Sequence, residues 1–236
     1  MKNIENLKAL ICAAKYITKY EPILNTNTLD IFAYEALSKF ELKRQSISTE
    51  EIFRELHKNN QLFYYLEKRN KKLQVDNFKE NKKLFLNFDA DIFVSTEQKM
   101  YWQKFLNPIK KNIVVEITEN GSDDEKSAKI MHDFSKWLKY NGICTALDDY
   151  AQDGTMFSFK LINDSKFVKI DKGFIKQIRE NKHFIHYLEG FIKTMKHSGK
   201  QTIIEGIESS ADLDIAKKVQ CDYIQGYYFK ELVIEK

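Results

Sequence analysis

Short apolar runs alternate with longer amphipathic stretches along nearly the whole chain. Residues 31–35, 84–88, 113–117, 143–147, 167–170, 202–204 and 223–224 are rich in Ile, Val, Phe and Tyr. Most of these runs are continuous, the pattern of parallel strands covered on both faces. Helix starts lie between them. Ser48-Thr49-Glu50-Glu51 has capping-box spacing and predicts a helix running towards Leu73. Ser95-Thr96-Glu97-Gln98 predicts another through Leu106, and Ser122-Asp123-Asp124-Glu125 a third that ends near Gly142. Met131, Phe134, Trp137 and Leu138 recur at helical spacing on the third, as do Phe184, Leu188, Phe191, Ile192 and Met195 further on. Such stripes mark faces turned to a core.

Strand–helix alternation implies parallel pairing and right-handed crossovers, hence an α/β fold. The two architectures open to it are a doubly wound sheet and a closed (β/α)8 barrel. No GxGxxG or GxxxxGK[ST] follows any strand, so the nucleotide-binding open sheets lack their signature. The 236 residues are close to the usual length of a TIM barrel, about 250.

The strands end alike. Glu35, Asn87, Glu116, the pair Asp148 and Asp149, Glu205 and Gln225 each stand at or just past an apolar run, and Lys169 and Asp171 flank Ile170. A single acidic residue there reads as a solvated loop residue or an N-cap. The recurrence on nearly every strand argues otherwise, because the strand ends of a barrel converge on one mouth. Carboxylates and an amide converging there repel one another unless positive charge lies between them. Hard divalent cations with oxygen ligands, Mg²⁺ or Mn²⁺, fit that demand, and adjacent aspartates suit a pair of ions. The pattern alone therefore points to metal-assisted hydrolysis of a phosphate ester.

Composition narrows the partners. Hydrophobic residues make up 43% and charged residues 31%, enough apolar content for a core. The net charge of +4 comes from 38 basic and 34 acidic residues in mixed clusters, so no nucleic-acid partner is expected. Cys12, Cys144 and Cys221 are odd in number, widely spaced and without a CxxC, which argues against a disulfide framework or a zinc site. Cys144 is expected to pack in the core. His57, His132 and His197 are isolated, and no acidic or Cys partner completes a zinc set with His183 and His186. The apolar run at residues 9–14 is too short for a membrane span, so a cytoplasmic protein is expected.

Tyr34-Glu35-Ala36-Leu37 resembles the signature of the EAL family of cyclic di-GMP phosphodiesterases. The similarity extends in order through Tyr20-Glu21-Pro22-Ile23, Leu86-Asn87, Glu116-Ile117-Thr118-Glu119, Asp148-Asp149-Tyr150, Lys169-Ile170-Asp171, Glu205-Gly206-Ile207-Glu208 and Gln225-Gly226-Tyr227-Tyr228-Phe229. No GGDEF motif is present, so a single EAL domain over residues 1–236 is expected. The resemblance implies a modified TIM barrel that hydrolyses cyclic di-GMP to linear pGpG with two Mg²⁺ or Mn²⁺ ions. It implies that Glu35, Asn87, Glu116 and Asp148 ligate one metal, and that Asp149, sharing Asp148, ligates the second. Lys169 resembles the lysine that contacts the attacking water, and Glu205 the catalytic glutamate. Leu37, Lys39 and Gln225 match substrate-facing positions, while Asp171 and Glu208 match supporting ones. Glu119 resembles the anchor of the loop after Asp148-Asp149, a loop tied to metal binding and dimerisation, so a homodimer is an expectation.

Three departures bear on activity. Glu21 stands where the family has Gln, and Lys39 where it has Arg, whose fork grips a phosphate as Lys cannot. The Gly-rich stretch after the paired aspartates reads Ala151-Gln152-Asp153-Gly154. Beside an active phosphodiesterase, two alternatives therefore stand: a cyclic di-GMP receptor with little turnover, and a degenerate domain that acts through protein contacts.

Overall fold

The computed structural model describes residues 8–9, 11–42, 45–118, 125–152 and 159–236. Strands β1 (Lys15–Asn25) and β2 (Ile31–Leu42) form an antiparallel hairpin, and β3 (Gln45–Ile47) folds back on the end of β2. β4 (Lys83–Asn87), β5 (Ile113–Thr118), β6 (Thr145–Tyr150), β7 (Phe167–Ile170), β8 (Gln201–Ile204) and β9 (Tyr223–Ile224) then add to β2, all parallel and in chain order. β1 also pairs antiparallel with β9, and that pairing closes an eight-stranded barrel. β10 (Ile234–Glu235) lies on the outer edge of β1.

The expected α/β barrel is therefore present, and its modification is the reversed strand β1. No apolar run marks β1 in the sequence. Its Tyr16, Thr18 and Tyr20 face one way and Lys19 and Glu21 the other, with Pro22 in the middle, so only its pairing shows it to be a strand.

The helices cover the barrel wall. The helix expected from Ser48 to Leu73 is two: α1 (Thr49–Leu56) and α2 (Asn60–Asn77). The break follows from a second cap, since the Asn59 side chain accepts from the Leu62 N–H at 3.1 Å. Ser48 accepts from the Glu51 N–H at 3.2 Å, half of its expected box. α3 (Thr96–Leu106) starts on the full reciprocal box of Ser95 and Gln98. α4 (Glu125–Tyr140) ends as expected, while its cap at residues 122–124 lies outside the described residues. α5 (Phe159–Asp164), α6 (Gly173–Glu180), α7 (Ile185–His197) and α8 (Ser210–Lys218) follow along the chain. Phe134 and Leu138 of α4, and Leu188, Ile192 and Met195 of α7, are buried against the barrel, so the two stripes are core faces. Cys144, expected in the core, is half-buried at the edge of the interior cluster.

Inside the barrel the side chains form two layers of opposite character. The lower layer is apolar: Ile23, Ala33, Phe85, Val114, Ala146, Phe167, Ile203 and Tyr223. Side chains two apart on a strand share a face. Two residues on from these, on β2 and β4 to β9 respectively, come Glu35, Asn87, Glu116, Asp148, Lys169, Glu205 and Gln225. On the reversed β1, two residues before Ile23, comes Glu21. A dry plug thus closes the barrel below a polar ring.

Gly206, directly after Glu205, sits at φ +70°, and a Cβ there would lie 2.3 Å from Lys172 Cβ. Both facts forbid a side chain, so the Glu205 turn depends on this glycine. Gly206→Ala should lower stability by about 1–3 kcal/mol. Denaturant unfolding with an unchanged midpoint would show that the turn tolerates a Cβ.

Candidate active site

Lys169 occupies the centre of the polar ring. Its Nζ lies 3.1 Å from Glu35 Oε2, 2.7 Å from Glu116 Oε1, 2.9 Å from Asp148 Oδ1 and 2.9 Å from Glu205 Oε1. Lys169 is 1% exposed and Glu116 is fully covered, so this pair meets without solvent, while Glu205 at the rim keeps 18% exposure. Glu35 is held on both oxygens: Asn87 Nδ2 donates to Oε1 at 2.8 Å and Gln225 Nε2 to Oε2 at 2.7 Å. Gln225 Nε2 also approaches Glu21 Oε2 at 3.4 Å, across the Glu21–Glu35 register pair of β1 and β2.

Adjacent residues on a regular strand point to opposite faces, yet Asp148 and Asp149 both reach the site. A β-bulge permits this. Leu147 pairs with Val168 and Tyr150 with Ile170, so two residues of β6 stand opposite Lys169 alone. Asp149 takes φ +53° to make the turn, and Ala151 follows at φ +62°. Left-handed backbone is easiest for glycine and less costly for Asp than for Ala. The steric cost expected of Ala151 is thus real, while Asp153 and Gly154 lie outside the described residues.

The electrostatics follow from burial. Burial and the neighbouring Glu35 carboxylate push Glu116 well above the ordinary carboxylate range. Burial raises Asp148 despite Lys169, and burial with Asp148 raises Asp149 to about 6. Burial lifts Glu205 to about 8 against the pull of Lys169. Burial would also raise Glu35, but Lys169 and the bonds from Gln225 and Asn87 hold it below the usual value. For Lys169 burial opposes the charge, and the surrounding carboxylates outweigh it and hold its pKa well above the lysine norm. One ammonium among so many carboxylates leaves the cluster short of positive charge.

That shortage fits divalent cations. Ligand oxygens of Glu35, Glu116 and Asp148 lie within 4.8 Å of one another, as do those of Asp148, Asp149 and Glu205. Glu116 Oε2 is buried with no hydrogen-bond donor, an arrangement costly unless something positive meets it. The donor set, carboxylate oxygens with an amide, suits a hard ion.

Other residues singled out from the sequence lie further off. Asp171 is buried beside the cluster and accepts from the Gly173 N–H at 2.7 Å, capping the turn into α6. Glu208 is 59% exposed and faces Arg179 at 3.9 Å. Leu37 and Lys39 continue the Glu35 face of β2 above the rim. Glu119 lies outside the described residues.

Two arrangements escaped the sequence. Asp212 grips Arg179 through both oxygens and accepts from the Glu208 and Ser209 N–H groups at 3.0 Å, which ties down the loop after Glu205. The Ser209-x-x-Asp212 spacing was the available signal. His57, isolated in sequence, lies between Asp91, 3.1 Å from Nδ1, and Asp89, 3.4 Å from Nε2. Its two nitrogens face different carboxylates, an ion-pair arrangement between α1 and the β4 loop, and one ligand atom from each of the three residues also lies within 4.8 Å of the others.

The fold and the ring define a parallel barrel with an acidic, cation-seeking mouth. Comparison with known families assigns it: the model for the EAL domain matches residues 4–231, and the chain belongs to that family. Among curated relatives, the signaling protein YkoW of Bacillus subtilis is 25% identical over 156 residues, covering 60% of this chain and 19% of that protein. The oxygen sensor protein DosP of Escherichia coli is 26% identical over 122 residues, 50% of this chain and 14% of the other. The matches thus cover only a small part of either relative. Solved structures share the fold. The PaMucR phosphodiesterase in its c-di-GMP complex superposes with TM-score 0.75 at 16% identity, over 96% of this chain and 95% of that one. The Bacillus subtilis YkuI protein, solved with substrate c-di-GMP and calcium, gives 0.76 at 19% identity, over 95% of this chain and 57% of the other.

Stability without metal should depend on pH in a definite sense. Glu205, Asp148, Asp149 and Glu116 hold protons in the fold at pH values where the unfolded chain has released them. Their contribution is therefore complete at low pH and falls as pH rises from the ordinary Glu value of 4.5 through about 8. The melting temperature in EDTA should fall across that window, and Mg²⁺ should reduce the fall. A flat profile in EDTA would mean that the buried carboxyls are not protonated in the fold.

Proposed function

We propose that this chain is a divalent-metal-dependent phosphodiesterase that opens cyclic di-GMP to linear pGpG. The observation that carries the reading is the convergent set, in which Glu35, Glu116, Asp148 and Glu205 contact Lys169, Asn87 holds Glu35 and Asp149 lies close to Asp148 and Glu205. The likeness to proteins solved with c-di-GMP, one called a phosphodiesterase and one holding calcium, supports it. Among the described residues no helix is long and apolar enough to cross a membrane, and the proposal includes a cytoplasmic setting. It also carries forward the homodimer expected from the loop anchored by Glu119.

In this reading Glu35, Asn87, Glu116 and Asp148 hold one Mg²⁺ or Mn²⁺, and Asp149, sharing Asp148, holds the other. Such ions polarise a phosphoryl oxygen and lower the pKa of bound water. The protein's own groups do the rest. Asn87 and Gln225 fix Glu35. Lys169 keeps its proton and donates to the attacking water or a phosphate oxygen. Glu205, in its deprotonated form, accepts the proton that the water loses as its oxygen bonds to phosphorus. The bond from phosphorus to the 3′ oxygen breaks, that oxygen takes a proton from solvent water, and a 5′-phosphate remains.

Purified protein with cyclic di-GMP and Mg²⁺ or Mn²⁺ should yield pGpG. Ca²⁺ should substitute poorly, because it favours more ligands and looser geometry. Excess EDTA should stop the reaction; full activity in EDTA would sink the metal mechanism. Glu205→Gln should lower turnover by about 10²–10⁴ with binding retained. Near-native turnover of that variant would remove Glu205 from catalysis.

The left-handed backbone at Ala151 favours a second reading, a domain that binds the nucleotide and turns it over slowly. The loop aims Asp149, and near-attack geometry is strict. Ala151→Gly should stabilise the fold by about 1 kcal/mol and raise turnover at saturating substrate. If the protein is stabilised and turnover stays put, the loop is not the bottleneck.

A further inference from the structure

β1 and β2 continue beyond the rim of the barrel and make a wall beside the mouth. Pairing of β2 with β4 ends at Ala36 opposite Leu86, while pairing of β2 with β1 runs on to Glu41 opposite Lys15. Residues directly opposite each other share a face. The face that carries Glu35 and Glu21 at the rim therefore carries Leu37 and Lys19 next, then Lys39 and Ile17, then Glu41 and Lys15. On the far edge of β1, Glu235 of β10 stands opposite Lys19 and joins the same face.

Two of the lysines on this wall, Lys19 and Lys39, are already matched. Lys19 Nζ contacts Glu21 Oε1 at 2.6 Å. Lys39 Nζ lies 3.2 Å from Glu41 Oε1 and 3.5 Å from Glu235 Oε1. The hydrogen bond to Glu41 and the charge of Glu235 hold the Lys39 pKa above the ordinary lysine value. An anion approaching Lys19 or Lys39 thus meets a cation that already has a partner, with carboxylates beside it. For Lys39 to turn to a phosphate, it must leave two carboxylates.

We propose that Glu235 and Glu41 compete with the ligand's phosphate for Lys39 and so set a low affinity of this mouth for a phosphodiester. The inference rests on the reading of the ligand as cyclic di-GMP. Glu235 and Glu41 act through Lys39 and not on the reacting atoms, so their removal should change binding and leave the chemical step alone. Exposed pairs of this kind are weak and screened by salt, which bounds the effect and gives it a signature.

The test is titration calorimetry of cyclic di-GMP in a Glu205→Gln background, where turnover does not interfere, at low and at physiological salt. Glu235→Gln with Glu41→Gln should tighten binding roughly three- to tenfold at low salt and less at high salt. In the otherwise native enzyme the same pair should lower KM and leave kcat unchanged. Glu235→Asp, which keeps the charge, should give little of the gain. In a Lys39→Ala background the gain should vanish; its full persistence there would mean plain repulsion of the ligand and overturn the role of Lys39. Binding by the parent that the substitutions leave unchanged would overturn the inference alone. Absence of binding in parent and variants alike would overturn the cyclic di-GMP reading and the inference with it.

Discussion

A buried ammonium surrounded by carboxylates organises this molecule. Taking several charges out of water is costly unless each finds a partner in good geometry. Lys169 Nζ meets four carboxylates within 3.1 Å, and Asn87 and Gln225 satisfy the outer oxygens of Glu35. The barrel makes that crowding possible, because every strand delivers one side chain to the same level. The apolar layer beneath, with Phe32 stacked on Tyr223 at 4.0 Å, keeps water from entering from below. One positive group nevertheless cannot balance so many negative ones, and protons and metal ions become interchangeable ways of completing the site.

The site's reach beyond the barrel depends on two irregular features. The reversed β1 closes the barrel, and its extension with β2 builds the charged wall above the rim. The bulge in β6 brings Asp149 to the side of Asp148. Both features deviate from an ideal parallel barrel, and both lie where the chemistry is proposed. Departures from regular geometry are expected at functional sites.

Much of the fold was legible in the sequence. The continuous apolar runs placed β2 and β4 to β9, and the Ser95 box placed α3 to the residue. The capping signal at Ser48 did not reveal the stop near His57, because Asn59 supplies a second cap inside an otherwise helical stretch. β1 was invisible to a search for apolar runs, since one face of it looks out over a polar mouth. The site was legible for a different reason: each polar residue stands two positions beyond an apolar one that the same strand buries. His57 looked isolated because Asp89 and Asp91 lie more than thirty residues away along the chain.

The sequence by itself determined which side chains enter the barrel and at which end of each strand they do so. Alternation along a strand is a local property, and it needs no knowledge of neighbours. Tertiary structure alone decided what those side chains meet. Lys169 and Glu35 are 134 residues apart, and Gln225 and Glu35 are 190. The direction of β1, the bulge opposite Lys169 and the hold of Glu235 on Lys39 likewise follow from registers between strands. Register is set by the packing of whole strands against one another, and no single segment encodes it.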